Sequence, residues 1–298
     1  MKTAFFVMHP PTTLPAHLLE LLASRRSGCD PPVCGRFAPS PTGTLHLGNL
    51  QTALASFVQA RRHQGIWRLR IDDLDTPRTK PGAIEEIQRD LRWLGLEWDG
   101  PVIVQSQHRG WYYSCLSWLR REGLLFPCRC SRRDLAGLVR YPGTCRQGDR
   151  DWGWQQGRLP SWRLRVPNHD PYGSGDVVLR RSDGFVAYQL ATVLDDLRCG
   201  ITDVVRGEDL REAEAAQRSV FAAFEADPPT FHYAPLLVDG QGEKLSKRDQ
   251  SAGLKSLIDQ GFDSPAVIGS LAFGLGWVPR GTRCSVTDLL HEGGPSTS

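Results

Sequence analysis

Three groups of residues in this chain have the types and spacing to do chemistry. The first lies in Pro39-Ser-Pro-Thr-Gly-Thr-Leu-His-Leu-Gly-Asn49, a Pro- and Gly-rich turn that runs into an apolar periodic stretch. A strand, such a turn and a helix in close order build an anion site, because the first helical N–H groups lack partners and the helix dipole is positive there. His46 and Asn49 stand at this helix start as donors for a phosphate, and Gly48 leaves the backbone open to a nucleotide. The plain alternative is an ordinary βα turn in which His46 caps or packs, and a motif this short does not choose between them. The second group is Glu243-Lys-Leu-Ser-Lys-Arg248, after the turn Asp239 to Gly242. Lys244 and Lys247 bracket Ser246 and form a cation site suited to charge building on a transferring phosphoryl group. Taken alone, a short basic loop is more often solvated surface. The third is Cys128-Arg-Cys130 followed by Tyr141-Pro-Gly-Thr-Cys145. Two cysteines one residue apart can share a tetrahedral zinc, with Cys145 as a third thiolate. No histidine lies between Cys130 and Cys145, so spacing leaves the fourth place to Tyr141 or to water, with buried free thiols as the other reading. Trp152, Trp154 and Trp162 alternate with Arg150, Arg158, Arg163 and Arg165. That mixture suits base stacking beside phosphates, and equally a strand of alternating exposure.

These groups need elements to position them. Arg36 to Ala38 reads as a short strand ahead of the first turn. Leu50, Ala53, Leu54, Phe57 and Val58 then fall on one helical face, and Gly65 closes that helix as a C′ glycine. Ile66 to Ile71 is a strand, Pro81 opens a second helix through Ile84, Ile87, Leu91 and Leu94 with Gly95 past its end, and Val102 to Val104 is a third strand. Strands alternating with helices of this length predict an α/β fold, a parallel sheet with crossovers. The alternation breaks between about Gln107 and Arg180, where a helix through Tyr112, Cys115, Leu116 and Leu119 leads into the Cys-, Arg- and Trp-rich stretch, an insertion. It resumes with a strand at Phe185, a helix over Glu212 to Phe224 and a strand over Phe231 to Val238. The organisation expected is an N-terminal extension over 1–34, the first half of the α/β domain over 35–106, the insertion over 107–180, the second half over 181–238, the lysine-bearing loop with a helical C-terminal part over 239–278, and a loosely ordered tail over 279–298.

The composition allows this. The 298 residues are 40% hydrophobic and 23% charged, an ordinary soluble balance. A net charge of +3 neither demands nor forbids nucleic acid. No apolar run approaches a membrane span, and the patch Ala4 to Met8 is too short for a secretory signal. Eight irregularly placed cysteines read as thiols or metal ligands in a reducing compartment, so the cytoplasm is expected. Cys29, Cys34, Cys115, Cys199 and Cys284 read as simple thiols.

His46-Leu-Gly-Asn49 and Lys244-Leu-Ser-Lys-Arg248 together resemble the signature pair of class I aminoacyl-tRNA synthetases, whose catalytic core is a Rossmann-like parallel sheet. Gly35 to Gly43, Arg70 to Asp75, Tyr188 to Ala191, Asp195-Asp196 and Val205 to Asp209 resemble the glutamate-specific branch, over Gly35 to roughly Leu257. The resemblance implies ATP binding by His46, Gly48, Asn49, Lys244, Ser246 and Lys247, with Mg²⁺ accompanying ATP, and catalysis by His46, Lys244 and Lys247. It implies glutamate binding by Arg36, Ser40, Asp72, Tyr188 and Arg206, the arginines suiting carboxylates through their planar fork. Asp72 stands where the family usually has glutamate, at a position that meets the substrate's amino group. Asp73 and Asp75 read as a capping or ion-pairing acidic turn. The cysteine pattern resembles that of the glutamyl-queuosine tRNA(Asp) synthetases, a short branch in which the tyrosine is a ligand, which implies one structural zinc on Cys128, Cys130, Tyr141 and Cys145. Only about 50 residues follow Arg248, too few for a helical anticodon-binding region. What the resemblance implies is therefore a monomer that activates L-glutamate without tRNA and transfers it to the queuosine base at the wobble position of tRNA(Asp). A minimal enzyme charging tRNA(Glu), and a non-catalytic relative that binds nucleotide or RNA, are the alternatives.

Overall fold

The apolar face Leu50, Ala53, Leu54, Phe57 and Val58 is buried along one helix, α1 (Leu47–Arg62). In the computed structural model of the chain, residues 32–147, 151–155, 157–235 and 253–291 are described. Among them, α1 joins two parallel strands, β1 (Cys34–Phe37) and β2 (Ile66–Ile71), in the register Cys34 to Ile66 and Phe37 to Leu69. Beyond β2 lies β3 (Ile103–Val104), also parallel, reached through α2 (Ala83–Trp93). A second parallel pair, β7 (Asp203–Gly207) with β8 (Thr230–Ala234), is tied to β1 by Thr202. Its N–H donates to the Cys34 carbonyl (2.9 Å), its Oγ1 accepts from the Cys34 N–H (2.8 Å), and its carbonyl accepts from Thr230 (2.8 Å).

By compactness the chain divides into two units. One comprises the described residues of Asp30–Gln107, Cys199–Glu214 and Pro228–Ser298, and the other those of His108–Arg198 and Ala215–Asp227. The core of the first is built on Trp67, which stacks on Phe37 (6.5 Å) and meets the edge of Phe57 (5.1 Å), while its Nε1 donates to Ser56 Oγ (3.0 Å). Against the same core pack α6 (Leu254–Asp259), α7 (Ser264–Gly274) and α8 (Val286–His291) through Leu254, Ile268, Leu271 and Leu289. The loose tail expected from Pro279 is thus in part a packed helix. Gly269 admits it: a Cβ there would stand 1.8 Å from the Thr282 carbonyl oxygen.

The second unit holds an antiparallel sheet, β4 (Leu125–Cys128), β5 (Ser161–Leu164) and β6 (Val178–Arg180), with α3 (Arg109–Arg121), α4 (Tyr188–Arg198) and most of α5 (Ala213–Ala223). Tyr112 Oη of α3 donates to Asp195 of α4 (2.7 Å), and Trp118 stacks on Phe224 (5.7 Å). No helix among the described residues is long and apolar enough to cross a membrane.

Several local expectations are corrected. Gly65 does not close α1: Gln64 takes the left-handed conformation (φ 53°), and Gly65 is required because a Cβ would lie 2.2 Å from the Val33 carbonyl oxygen. Pro81 lies in a turn before α2, whose N-cap Gly82 has a left-handed φ of 76° that a continuing helix excludes. The strand expected at Phe185 is a single bridge, Val186 to Arg180, after which α4 begins at once. Of the strand expected over Phe231 to Val238, residues 236–238 lie outside the described residues.

Candidate active site

All the strands of the first unit that pair do so in parallel, so their C-terminal ends share one edge. Between β1 and β7 the chain changes direction of winding, since β1 has β2 on one side and Thr202 leading into β7 on the other. Such a switch point opens a crevice beyond the strand ends, where open α/β sheets bind ligands. Arg36 lies near the end of β1 and is buried (6% exposed), followed by the turn that carries exposed Ser40. That turn is joined to the end of β2 by the Asp72 N–H, which donates to the Pro39 carbonyl (3.0 Å). Near the end of β7, Arg206 is 3% exposed. Its guanidinium donates to Tyr233 Oη (3.0 Å), lies over the Phe231 ring (4.4 Å) and sits 3.8 Å from Glu214.

His46 does cap α1. Its Nδ1 accepts from the Asn49 N–H (3.3 Å) while Asn49 Oδ1 accepts from the His46 N–H (3.3 Å), a reciprocal capping box. Capping and phosphate binding do not compete here. With Nδ1 as acceptor the ring proton sits on Nε2, and Nδ2 of Asn49 keeps its donors. Partial burial lowers the His46 pKa below its usual value, against a smaller upward pull from the Asp209 carboxylate, so the ring is neutral at pH 7 and donates from Nε2. A Cβ on Gly48 would touch the His46 ring at 3.2 Å, so this glycine spares the ring's position as well as the backbone's approach.

Lys244, Ser246 and Lys247 lie outside the described residues. The two ends of that segment are described, and both attach to the start of α1. The Pro235 carbonyl accepts from Gln51 Nε2 (2.9 Å), and Gly253 forms a β-bridge with His46.

Asp72 is buried and both its oxygens are held by Arg70, at 2.6 Å from Nε and 3.1 Å from a terminal nitrogen. Its neighbours are structural: Asp73 accepts from the Ser106 N–H (2.7 Å), and Asp75 pairs with Arg78 (3.5 Å). Tyr188 opens α4 in the second unit and is 43% exposed. One turn on, on the same helical face, Thr192 is buried with an Oγ1 that has no hydrogen-bond partner. Sequence reasoning passed over it, because the helix itself was not anticipated; once a helix starts at Tyr188, the i,i+4 spacing marks Thr192.

In the second unit the three thiols Cys128, Cys130 and Cys145 come together, their sulfurs within 4.8 Å of one another. Cys130 and Cys145 are 3.7 Å apart, and Tyr141 Oη accepts from Cys128 Sγ (3.4 Å) and from the Cys145 N–H (2.7 Å). Burial opposes ionisation of Cys145, but hydrogen bonds from Tyr141 and the Arg129 backbone outweigh it and bring the thiol to about 7. Burial pushes Cys130 up to about 11 and Tyr141 well above the usual phenol range. Three clustered sulfurs could supply three ligands of a tetrahedral metal site, with the Tyr141 oxygen beside them. The stretch between them is a run of turns: Ser131 donates twice to Asp134, and Gly137 takes φ 76°. Of the other thiols among the described residues, Cys115 is pushed up to about 12 by burial, as befits an inert core residue.

The fold and site define a class of protein. The family described as "tRNA synthetases class I (E and Q), catalytic domain" matches residues 32–140 and 164–289, and the chain belongs to it. A solved structure titled as the glutamate-tRNA synthetase from Elizabethkingia anophelis superposes with a TM-score of 0.72 at 26% identity, over 88% of this chain and 66% of that one. The chain is closer to a shorter group. It is 64% identical over 280 residues, 94% of its length and 96% of the relative's, to the glutamyl-Q tRNA(Asp) synthetase of Parasynechococcus marenigrum (strain WH8102). To the protein of that name from Prochlorococcus marinus (strain MIT 9313) it is 52% identical over 288 residues, 94% of each chain.

Proposed function

We propose that this chain uses ATP to activate L-glutamate as glutamyl-adenylate, without tRNA, and transfers the glutamyl group to the queuosine base at the wobble position of tRNA(Asp). The observation that carries the proposal is the convergence on one end of α1: a neutral His46 with its Nε2 proton available, and both ends of the segment bearing Lys244 and Lys247 fastened beside it. The names of full-length relatives supply the acceptor.

In the first step a glutamate carboxylate oxygen attacks the α-phosphorus in line, the P–O bond to pyrophosphate breaks, and pyrophosphate leaves. His46, Lys244 and Lys247 donate to the oxygens on which charge grows, while Gly48, Asn49 and Ser246 complete the nucleotide site. Mg²⁺ accompanies ATP as the phosphate counter-ion. Arg36 and Arg206 neutralise the substrate carboxylates, Ser40 and Tyr188 hydrogen-bond the substrate, and Asp72 accepts from its ammonium. In the second step a hydroxyl of the cyclopentene ring attacks the adenylate carbonyl, the hydroxyl proton departs, and AMP leaves an ester behind. No side chain is the nucleophile. Cys128, Cys130, Tyr141 and Cys145 would hold a zinc whose role is to fix the turns of the insertion.

The test is pyrophosphate exchange driven by glutamate alone, followed by charging of queuosine-containing tRNA(Asp), queuosine-free tRNA(Asp) and tRNA(Glu). Exchange without RNA and labelling of the first tRNA alone are expected. Lys247→Ala is expected to lower exchange by about 100-fold, the usual loss for one donor to a developing charge. Exchange that waits for tRNA, or charging of tRNA(Glu), would refute the proposal.

A further inference from the structure

Residues 128–165 hold nine arginines against three aspartates, with no lysine or glutamate, a net +6 where the whole chain carries only +3. Positive charge concentrated on one segment is the electrostatic footprint of a polyanion partner. Within the segment the aromatic residues are ordered rather than scattered. Trp152 meets Trp162 edge-on (5.1 Å, 85°), the Arg120 guanidinium lies over Trp152 at 4.2 Å, and Arg180 lies over Trp162 at 4.9 Å. Two residues from Trp152, Trp154 stands 67% exposed.

The backbone on either side of Trp154 is fastened. Asp151 accepts from the Gly153 N–H (2.8 Å) and from Gln155 Nε2 (2.8 Å), and Arg129 donates to the Gly153 carbonyl (2.7 Å). Gln155 and Arg158 exchange two backbone hydrogen bonds of 3.1 Å. An exposed indole on a held turn gives a flat face whose ordering is already done, which lowers the entropy lost when another ring stacks on it. The catalytic-domain match stops at 140 and resumes at 164, so this turn lies outside what the wider family shares.

We infer that Trp154 is a stacking platform for an unpaired base of the RNA substrate, with exposed Arg132 and Arg133 neutralising neighbouring phosphates. This rests on the proposed function, which makes a tRNA loop the acceptor. A paired base offers no free face to an indole, whereas a splayed loop base does.

The experiment measures binding of queuosine-containing tRNA(Asp) to the full chain, with Trp154→Ala and Trp154→Phe, and uses glutamate-driven pyrophosphate exchange without RNA to check the fold. Trp154→Ala is expected to weaken binding by roughly tenfold or more, with Trp154→Phe recovering most of it and exchange unchanged in both. An anticodon stem-loop RNA should compete and an acceptor-stem duplex should not. The pair Arg132→Ala and Arg133→Ala should flatten the salt dependence of binding by about 1 to 2 in log–log slope. Binding by Trp154→Ala within twofold of the unaltered chain, or equal competition by the duplex, would overturn the inference. Should the unaltered chain bind this tRNA yet transfer no glutamate, the functional proposal fails while the binding comparison still decides the role of Trp154.

Discussion

Cys145 is the residue on which the proposed zinc site is best tested. It lies 3.7 Å from Cys130, donates its N–H to Tyr141, and has a thiol that hydrogen bonds bring down to about 7. Zinc binding needs thiolates, so removing this sulfur should weaken a metal held by the cluster. The chain is expected to purify with about one zinc, and Cys145→Ser with much less, as elemental analysis would read. Zinc absent from the unaltered chain, or undiminished in Cys145→Ser, would remove the assignment; zinc undiminished in Tyr141→Phe would leave three thiolates and a different fourth ligand. The clustering of the three thiols was legible in the sequence because Cys-x-Cys spacing forces two sulfurs onto one turn. The role of His46 was only half legible. Composition cannot say whether a ring nitrogen caps a helix or meets a phosphate, and the structure shows Nδ1 capping with Nε2 left as a donor.

At the scale of elements, α2 carries a carboxylate in an unfavourable place. Asp90 is buried, and burial first, then Glu86 one turn earlier, raise it to about 6 from 3.8, against a weaker pull from Arg89. The sign follows from proton counting. Between those two values the folded state binds the extra proton, so stability falls as pH rises, and above about 6 the full penalty is present. Asp90→Asn is therefore expected to raise Tm near pH 7 and to leave it unchanged near pH 3.5, by thermal unfolding at both. An equal gain at the two pH values would assign the effect to packing instead. The helices of the first unit were readable from their 3.6-residue apolar period. Their ends were not, because Gln64 and Gly82 end and begin helices by left-handed conformations that no period encodes. The strand at Phe185 failed for a different reason: Phe185, Val186 and Ala187 look extended, but only one residue pairs before α4 starts.

At the scale of the whole molecule, the sheet of the first unit is closed by side-chain and backbone bonds at Thr202 that no local pattern could reveal. Thr202 Oγ1 accepts from Cys34 and donates to Asp203 (2.7 Å). Thr202→Val keeps the shape and removes both bonds, leaving the buried Cys34 N–H and the half-buried Asp203 carboxylate to find other partners. A loss of roughly 1–3 kcal/mol is expected in denaturant unfolding, and an unchanged midpoint would show that the bonds are replaced by water. The α/β class, the first three strands and the C-terminal helical part were readable; the antiparallel sheet of the second unit was not, since its short strands lie in the Arg- and Cys-rich stretch where apolar alternation is interrupted.

The Thr202 clip also sets an order in time. Cys34 and its partner are 168 residues apart, so on a ribosome β1, α1 and β2 emerge long before the residue that completes their edge. Until then β1 offers a row of open N–H and C=O groups, the kind of edge that recruits stray strands. All of α3 through α4 is synthesised in that interval. The nascent chain is thus most exposed to mispairing while its middle third is being made, and the edge of its first sheet closes late.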